Sequence, residues 1–136
     1  MREIEFRGRR VDNKEWVYGY YCESISRNEA YIAEDVDGEV WEVTPETVGQ
    51  FSGLNDKNGK GVYEGDIVKR KGLTPPWIVQ YVRHTASFGV ASPDYYMDLS
   101  GIVRSGSCQC FIYDWNTCEV IGNIHDNPKL IAQPHD

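Results

Sequence analysis

No part of the 136-residue sequence shows the apolar stripe of a long helix. Aromatic and β-branched residues instead form short runs that alternate with polar residues and are separated by turn residues. In chain order, the strand candidates are IEFRGRRV, EWVYGYYCESI, EAYIAEDV, EVWEVT, PWIVQYVRH, ASFGVAS, CQCFIYDW and CEVIGNIH. A loop-like stretch, SPDYYMDLSGIVRSGS, precedes the last two candidates. The sequence therefore predicts a mainly β fold.

Turn residues predict how these strands are connected. Asp37-Gly38 predicts a two-residue hairpin, because both central positions of a type I′ turn favour positive φ. One helical turn is predicted in TPETVGQ, with Thr44 as its N-cap and Pro45 as its first helical residue. Gly49 is the expected stop signal for that turn. The sequence NPKLIA predicts a second short helical turn near the end of the chain.

The central segment FSGLNDKNGKGVYEGDIVKR, residues 51–70, predicts a hairpin followed by a second tight turn. Asn58-Gly59 has the composition of a hairpin turn between two β-forming runs. Gly65 allows the chain to bend sharply again, and Asp66 is expected to tie down that bend through hydrogen bonds to the backbone. The glycines of this segment are thus expected to serve shape rather than chemistry.

The strand that starts at the GDIV sequence is expected to be buried. Because side chains alternate between faces, Ile67 and Val68 should lie on opposite sides, one in the core and one under a neighbouring loop. This arrangement is typical of the opening of a small SH3-like β-barrel. We therefore predict an N-terminal β-hairpin-rich portion at residues 1–49 and an SH3-like barrel at residues 50–136.

Three ligand-binding chemistries fit the central segment poorly. An EF-hand-like loop starting at Asp56 would place Lys60 at a ligand position and Ile67 where a bidentate carboxylate belongs. The glycine spacing matches neither a P-loop nor a dinucleotide fingerprint. The four cysteines, Cys22, Cys108, Cys110 and Cys118, lack zinc-site spacing, and we interpret Cys22 as a core or sheet-face residue. We predict no metal site and no cofactor.

Charge is unevenly distributed along the chain. The net charge of −7 argues against a general nucleic-acid coat, which needs a basic surface. Residues 23–46 carry eight acids and one arginine, whereas residues 57–71 carry five bases and two acids. The two segments are either separate solvated faces or faces that meet, within one chain or between copies. No membrane span or signal peptide is expected, which favours the cytoplasm.

The sequence resembles the YopX family of phage and prophage proteins. The resemblance rests on MREIEFRG, on VTPETVGQFSGLNDKNGKGVYEGDIVK and on EVIGNIHDNPKL, with a looser match between residues 72 and 114. It implies an SH3-like barrel on the GDIV half, a bacterial cytoplasm and no assigned reaction. An aromatic residue often replaces His125 in the family, which argues against catalysis by that histidine. The residues expected to form the structural motif are Asp56, Asn58, Gly59, Tyr63, Gly65, Asp66, Gly122, Asn123, Asn127 and Pro128.

These observations favour a phage accessory protein that binds a host or phage protein, or a nucleic acid, without catalysing a reaction. The candidate binding cluster is Lys69, Arg70, Lys71 and Trp77, a basic and aromatic group of the kind that grips single-stranded nucleic acid. One alternative is a homo-oligomeric assembly protein in which the acidic and basic segments meet. The other is a metal-dependent hydrolase or nuclease that uses the carboxylates Glu64 and Asp66.

Overall fold

A computed structural model describes residues 3–35, 37–71, 73–82, 87–91, 109–110 and 117–131. Antiparallel strands dominate these ranges, and helical structure is confined to short 3₁₀ turns, so the mainly β prediction is confirmed. The predicted loop at residues 92–107 lies outside the described residues. None of the described helical segments has the length and apolar character needed to span a membrane.

The strands follow the alternating runs of the sequence closely. They are β1 (Phe6–Arg9), β2 (Trp16–Ser24), β3 (Glu29–Ala33), β4 (Val40–Val43), β5 (Gly49–Asn55), β6 (Gly61–Tyr63), β7 (Asp66–Arg70), β8 (Leu73–Val82), β9 (Ser87–Ala91), β10 (Gln109–Cys110) and β11 (Glu119–Asn123). The 3₁₀ turns are Pro45–Thr47 and Pro128–Leu130.

The chain forms two compact units, Met1–Gly53 and Leu54–Asp136. The boundary between them falls within strand β5. The predicted boundary between residues 49 and 50 lies at the start of β5. A division into two domains at that point stays a prediction.

In the first unit the strand order is β4-β3-β2-β1-β5. The long strand β2 pairs with β1 through its first four residues and with β3 through its last five. The end of β1 then meets β4 at the Arg10–Val43 bridge. Two hydrogen bonds flank this bridge, from the Val11 N–H to the Glu42 carbonyl (3.1 Å) and from the Thr44 N–H to the Arg9 carbonyl (2.9 Å). The sheet therefore curls without closing.

The curl of the first sheet gives it an inner and an outer face. The inner face carries a small core of Ala30, Ile32 and Val43, against which Phe6, Val17, Tyr21 and Val48 pack. Residues one position away along each strand point to the outer face, because side chains alternate in a strand. Cys22 is one of these outer residues and is exposed, so its thiol is on a sheet face as predicted and not in the core.

The β3–β4 hairpin forms, but its turn differs from the prediction. The connection runs from Glu34 to Glu39, where the Glu34 N–H donates to the Glu39 carbonyl (3.0 Å). Inside it, the Gly38 N–H donates to the Asp35 carbonyl (3.1 Å). The prediction of a two-residue type I′ turn at Asp37-Gly38 is therefore wrong. Gly38 occupies the fourth position of a turn, where glycine is also favoured.

The predicted helical turn is present at Pro45–Thr47, but its cap differs. The Thr44 side chain makes no capping hydrogen bond. The Thr47 hydroxyl instead donates to the Thr44 carbonyl (2.6 Å) and accepts the Arg9 N–H (2.9 Å), which joins the turn to β1. Gly49 is not the stop residue, because the turn ends at Thr47 and Gly49 begins β5.

The second unit contains a sheet with the order β10-β9-β8-β7-β11. Its core is a cluster of buried side chains: Val62, Val68, Val79, Val90, Cys118 and Val120. Both Ile67 and Val68 are fully buried, and Ile67 faces Ile78 across the β7–β8 pair, away from that cluster. Burial on both faces of β7 agrees with the prediction. The sheet is open in the described residues, and these strands do not establish the SH3-like barrel.

Candidate binding surface

The hairpin predicted at Asn58-Gly59 is confirmed, and three residues, 57–59, separate the hydrogen-bonded Asp56 and Lys60 between β5 and β6. The Asp56 N–H donates to the Lys60 carbonyl (2.8 Å), and the Gly59 N–H donates to the Asp56 carbonyl (3.0 Å). Gly59 has a φ of 81°, whereas Lys57 and Asn58 are not among the residues with positive φ. The geometry is that of a turn followed by a left-handed glycine, one of the common hairpin connections.

The Asp56 carboxylate links this hairpin to a strand 64 residues away. Its Oδ1 accepts the N–H groups of Asn58 and Lys60, each at 2.9 Å, and its Oδ2 accepts the N–H of Val120 in β11, also at 2.9 Å. The Lys57 N–H donates to the Cys118 carbonyl beside it (2.9 Å). Asp56 is only 4% exposed, so water cannot readily replace these donors. The carboxylate therefore joins the central and the C-terminal segments of the predicted structural motif, which we name the signature.

This arrangement predicts acid sensitivity. Burial by itself raises the pKa of Asp56, but the N–H groups of Val120, Lys60 and Asn58 outweigh burial and hold the pKa below its ordinary value. A depressed folded-state pKa stabilises the fold above the unfolded-state pKa of about 3.9, and that stability is lost as pH falls through the folded-state pKa. The free energy of unfolding, measured with urea across this pH range, should fall more steeply with decreasing pH in the wild type than in Asp56→Asn. Equal pH slopes would contradict the prediction.

The second predicted turn places Gly65 and Asp66 in structural roles. Gly65 has a φ of 89°, its N–H donates to the Val79 carbonyl (2.9 Å), and its carbonyl accepts the Ile124 N–H (2.9 Å). The Asp66 side chain is fully buried, and its Oδ2 accepts the Tyr63 N–H (2.8 Å). An aspartate held in this way resembles a turn anchor more than an acid or base exposed to substrate. Within the described ranges, no group of three His, Cys, Asp or Glu residues could hold a metal ion.

The C-terminal part of the signature forms an asparagine-capped turn. Asn123 Oδ1 accepts the N–H groups of His125 (3.0 Å) and Asp126 (2.9 Å), and Asn127 Oδ1 accepts the Asn123 N–H (3.2 Å). A Cβ on Gly122 would lie 2.4 Å from that same Asn127 oxygen, so a side chain at this position would displace the Asn127 carboxamide. Pro128 then begins the last 3₁₀ turn. The signature residues thus shape the backbone.

The structure separates members of the predicted basic cluster. Trp77 lies opposite Val68 in the β7–β8 register and packs against the core of the second unit. Lys69 follows Val68 and therefore points to the opposite face, where its Nζ is 3.4 Å from Glu119 Oε2. Lys57 approaches the same carboxylate oxygen at 3.6 Å. Arg70 is half-buried and Lys71 is exposed. A nucleic-acid site at this cluster stays a prediction.

The outer face of the first sheet is the surface that the sequence interpretation missed. Alternation along β2 places Trp16, Tyr18, Tyr20 and Cys22 on this face, while Val17 and Tyr21 pack against the inner core. Arg7 lies opposite Tyr18 in β1, and its guanidinium carbon is 4.8 Å from the Trp16 ring centroid. The signal was present in WVYGYYC, because aromatic residues occupy both alternate positions and only one set can fill the core.

A row of apolar side chains crosses three strands of this outer face. Tyr20 pairs with Ala33, and Ala33 pairs with Val40, so their side chains stand side by side. Tyr18 is 45% exposed, Tyr20 56% and Val40 57%. We name Tyr18, Tyr20, Ala33 and Val40 the outer apolar patch. Such a patch on a paired, regular sheet marks an interaction surface more often than isolated exposed residues do.

Acidic side chains lie beside the outer apolar patch, in the β3–β4 connection. The β3–β4 connection beside it presents four exposed acids, which are Glu34, Asp35, Asp37 and Glu39. The unit as a whole has six basic and twelve acidic residues, for a charge of −6, whereas the second unit has eight basic and nine acidic residues, for a charge of −1. Nearly all of the net charge of the chain thus belongs to the unit that carries the patch.

The fold and these surfaces define a two-unit β protein whose signature residues secure turns and whose first unit carries an exposed apolar patch beside an acidic connection. The chain belongs to the YopX family, because the family described as YopX protein matches residues 5–132. A crystal structure of protein EF1440 from Enterococcus faecalis is similar, with 21% sequence identity and a TM-score of 0.53, over 97% of this chain and 100% of that one. This likeness concerns the fold alone. No curated protein matches the sequence.

Proposed function

We propose that the protein is a non-enzymatic module that binds a basic protein surface through the outer apolar patch. The observation that carries this proposal is the exposure of Tyr18, Tyr20 and Val40 on one regular sheet face. Aromatic side chains provide large contact areas and are enriched at protein interfaces. Because their neighbours in the β3–β4 connection are acidic, complementary charge favours a basic partner.

A protein partner fits this surface better than a nucleic acid. A phosphate backbone needs a basic surface, whereas the first unit has a charge of −6. In the second unit, Lys57 and Lys69 both approach Glu119, which reduces the positive potential beside the predicted cluster. The family resemblance supports two further parts of the proposal, a phage or prophage origin and a bacterial cytoplasm. It also supports an SH3-like barrel in the second unit.

Self-association is the second candidate. The charge difference between the segments 23–46 and 57–71 favours it, and Lys57, Lys60, Lys69 and Lys71 are exposed in the described structure. In that case the basic partner of the outer apolar patch would be another copy of the chain. Light scattering at micromolar concentration separates the two candidates, since a monomer mass excludes self-association in that range.

Removing the two exposed tyrosines should abolish partner capture without unfolding the protein. The double variant Tyr18→Ser/Tyr20→Ser is expected to lose about 2 kcal/mol or more of binding free energy, as truncated aromatic hot spots do. Its unfolding free energy should fall by no more than about 1 kcal/mol, since both side chains are exposed. The measurement is quantitative capture from a bacterial host lysate on immobilised protein, with light scattering of the purified chain.

The matched control is Ile25→Ser. Ile25 is 89% exposed at the end of the β2–β3 hairpin, outside the outer apolar patch, so this variant removes a more accessible apolar side chain elsewhere in the same unit. It should capture the same proteins as the wild type. A double tyrosine variant that captures the wild-type set at wild-type yield would contradict the proposed function.

A further inference from the structure

Strand β4 is the last strand of the first sheet, and among the described residues only part of its free edge is covered. Its pairing with β3 runs from Val40 to Val43. On the other edge, the residues at and after the end of β1 make hydrogen bonds with Glu42 and Thr44. In the described structure these bonds do not extend to Val40, where β4 begins. The chain turns away after Val11. The first half of β4 therefore borders a groove instead of a strand.

This groove has a volume of about 320 Å³ and is lined by Arg10, Val11, Asp12, Val40, Trp41 and Glu42. Its size falls within the range of ligand-binding clefts. Val11 and Val40 are both exposed along it. The Arg10 guanidinium carbon is 5.7 Å from the Trp41 ring centroid, which holds the two side chains together at the groove.

The backbone of Val40 points into the groove. In an antiparallel strand the N–H and C=O of one residue lie on the same side, and the side alternates from residue to residue. The Glu39 carbonyl accepts a hydrogen bond from β3, and the Glu42 carbonyl accepts one from Val11 on the opposite side. Val40 is two residues from Glu42, so its N–H and C=O share the direction of Glu42 and face away from β3.

The charges at the groove select a basic occupant. Arg10 is neutralised by Asp12 through two hydrogen bonds, from Nε to Oδ1 at 2.9 Å and from a terminal guanidinium nitrogen to Oδ2 at 2.6 Å. Glu42 in the lining and Glu39 at the start of β4 are both exposed and add negative charge. The groove thus combines apolar walls, an outward-facing backbone and a net negative charge.

We propose that an extended basic peptide segment of a partner protein adds to the edge of β4 in this groove, with backbone hydrogen bonds to Val40 and apolar contacts to Val11 and Val40. This inference rests on the proposed function and names the mode of binding. Strand addition supplies affinity through main-chain hydrogen bonds, and the groove supplies specificity through alternate side chains. Because Val40 and Glu42 share one face of β4, lysine or arginine at the other alternate positions would lie on the side of Trp41 and Glu39.

The test uses a synthetic peptide of about eight residues with alternating valine and lysine, a typical strand length. Titration into the ¹⁵N-labelled full chain should shift the amide resonances of residues 40–42 and slow hydrogen exchange at the Val40 amide. The same peptide with N-methyl groups at alternate positions cannot form the strand hydrogen bonds, and the valine–glutamate peptide has the wrong charge. Each of these two probes should bind at least about tenfold more weakly.

The variant Val40→Pro removes the outward N–H while leaving the β3-facing hydrogen bonds in place. Proline is tolerated at the first residue of an edge strand, so the fold should persist. Its affinity for the valine–lysine peptide should fall at least about tenfold, whereas Val40→Thr, which keeps the N–H and the branched shape, should bind within about threefold. If Val40→Pro does not fold, the N-methylated peptide and the resonance shifts of the wild type give the answer alone.

Three results would overturn strand addition: equal binding of the N-methylated peptide, equal binding of the valine–glutamate peptide, or resonance shifts that avoid residues 40–42. Failure of the proposed function, which is partner binding through the outer apolar patch, would give a different set of results. If the peptide misses the groove while Tyr18→Ser/Tyr20→Ser still abolishes partner capture, the module binds by its outer apolar patch and the groove is not used. If the tyrosine variant also captures normally, both proposals fail.

Discussion

Asp56→Ala is expected to lower the free energy of unfolding by about 3 kcal/mol or more, because it removes a charged acceptor from three backbone N–H groups. The loss is uneven among them. Asn58 and Lys60 are exposed in the hairpin connection, so water can partly replace the carboxylate there. The Val120 N–H lies in the core of the second unit and is left buried without its acceptor. Urea unfolding monitored by tryptophan fluorescence measures the difference.

Asp12→Ala is the matched control, because it removes the same charge and the same atoms from a surface aspartate. Asp12 is exposed and bonded to Arg10, and exposed ion pairs contribute between about 0 and 1 kcal/mol. The two variants should therefore differ by at least about 2 kcal/mol. If their unfolding free energies agree, Asp56 does not hold the hairpin to β11, and the structural interpretation of the signature is wrong.

The strands, the central hairpin and the burial of the GDIV strand could be predicted from the sequence, because these features depend on local patterns. The inner and outer faces of WVYGYYC follow directly from the alternation of side chains in a strand. The same geometry accounts for the burial of both Ile67 and Val68 in the GDIV strand. The contact of Asp56 with Val120 could not be predicted in this way. It joins residues 64 positions apart, and local propensity contains no information about such a distance.

Turn geometry was predicted less well than turn position. Asp37-Gly38 has the composition of a type I′ turn, yet glycine is also favoured at the fourth position of other turns, and Gly38 occupies that position. Thr44 similarly has the chemistry of an N-cap, but Thr47 provides the hydroxyl that links the helical turn to β1. In both cases one residue type suits several positions of a turn, and tertiary hydrogen bonds decide between them.

The choice between candidate surfaces depended on which faces of the strands the fold covers. Lys69, Arg70, Lys71 and Trp77 are close in sequence or in strand register, which suggested a single cluster. The register instead places Trp77 beside Val68 and against the core, with Lys69 on the opposite face. In β2 the inner set is Val17 and Tyr21, which leaves Tyr18 and Tyr20 exposed. Period-two alternation identifies two faces but not the one that is covered.

Gly19→Ala is expected to destabilise the first unit by about 3 kcal/mol or more, because the new methyl group has no space and the backbone is strained for an L-residue. A Cβ at this position would lie 2.1 Å from the Ala33 carbonyl oxygen and 2.9 Å from its carbonyl carbon. Both are backbone atoms of β3, so the overlap cannot be relieved by a side-chain rotation. Thermal and urea unfolding of the purified variant measure the effect.

Gly59→Ala separates the steric part of this effect from the backbone part. Gly59 also has positive φ, at 81°, but a Cβ there would meet nothing within 4 Å, so its replacement should cost only about 1 kcal/mol. Equal losses for the two variants would show that contact with Ala33 does not limit position 19. Gly19 also marks where β2 changes partner, with Tyr18 opposite Arg7 of β1 and Tyr20 opposite Ala33 of β3. Because Tyr18 and Tyr20 flank Gly19 in the same strand, partner capture should fall in Gly19→Ala in proportion to the unfolded fraction.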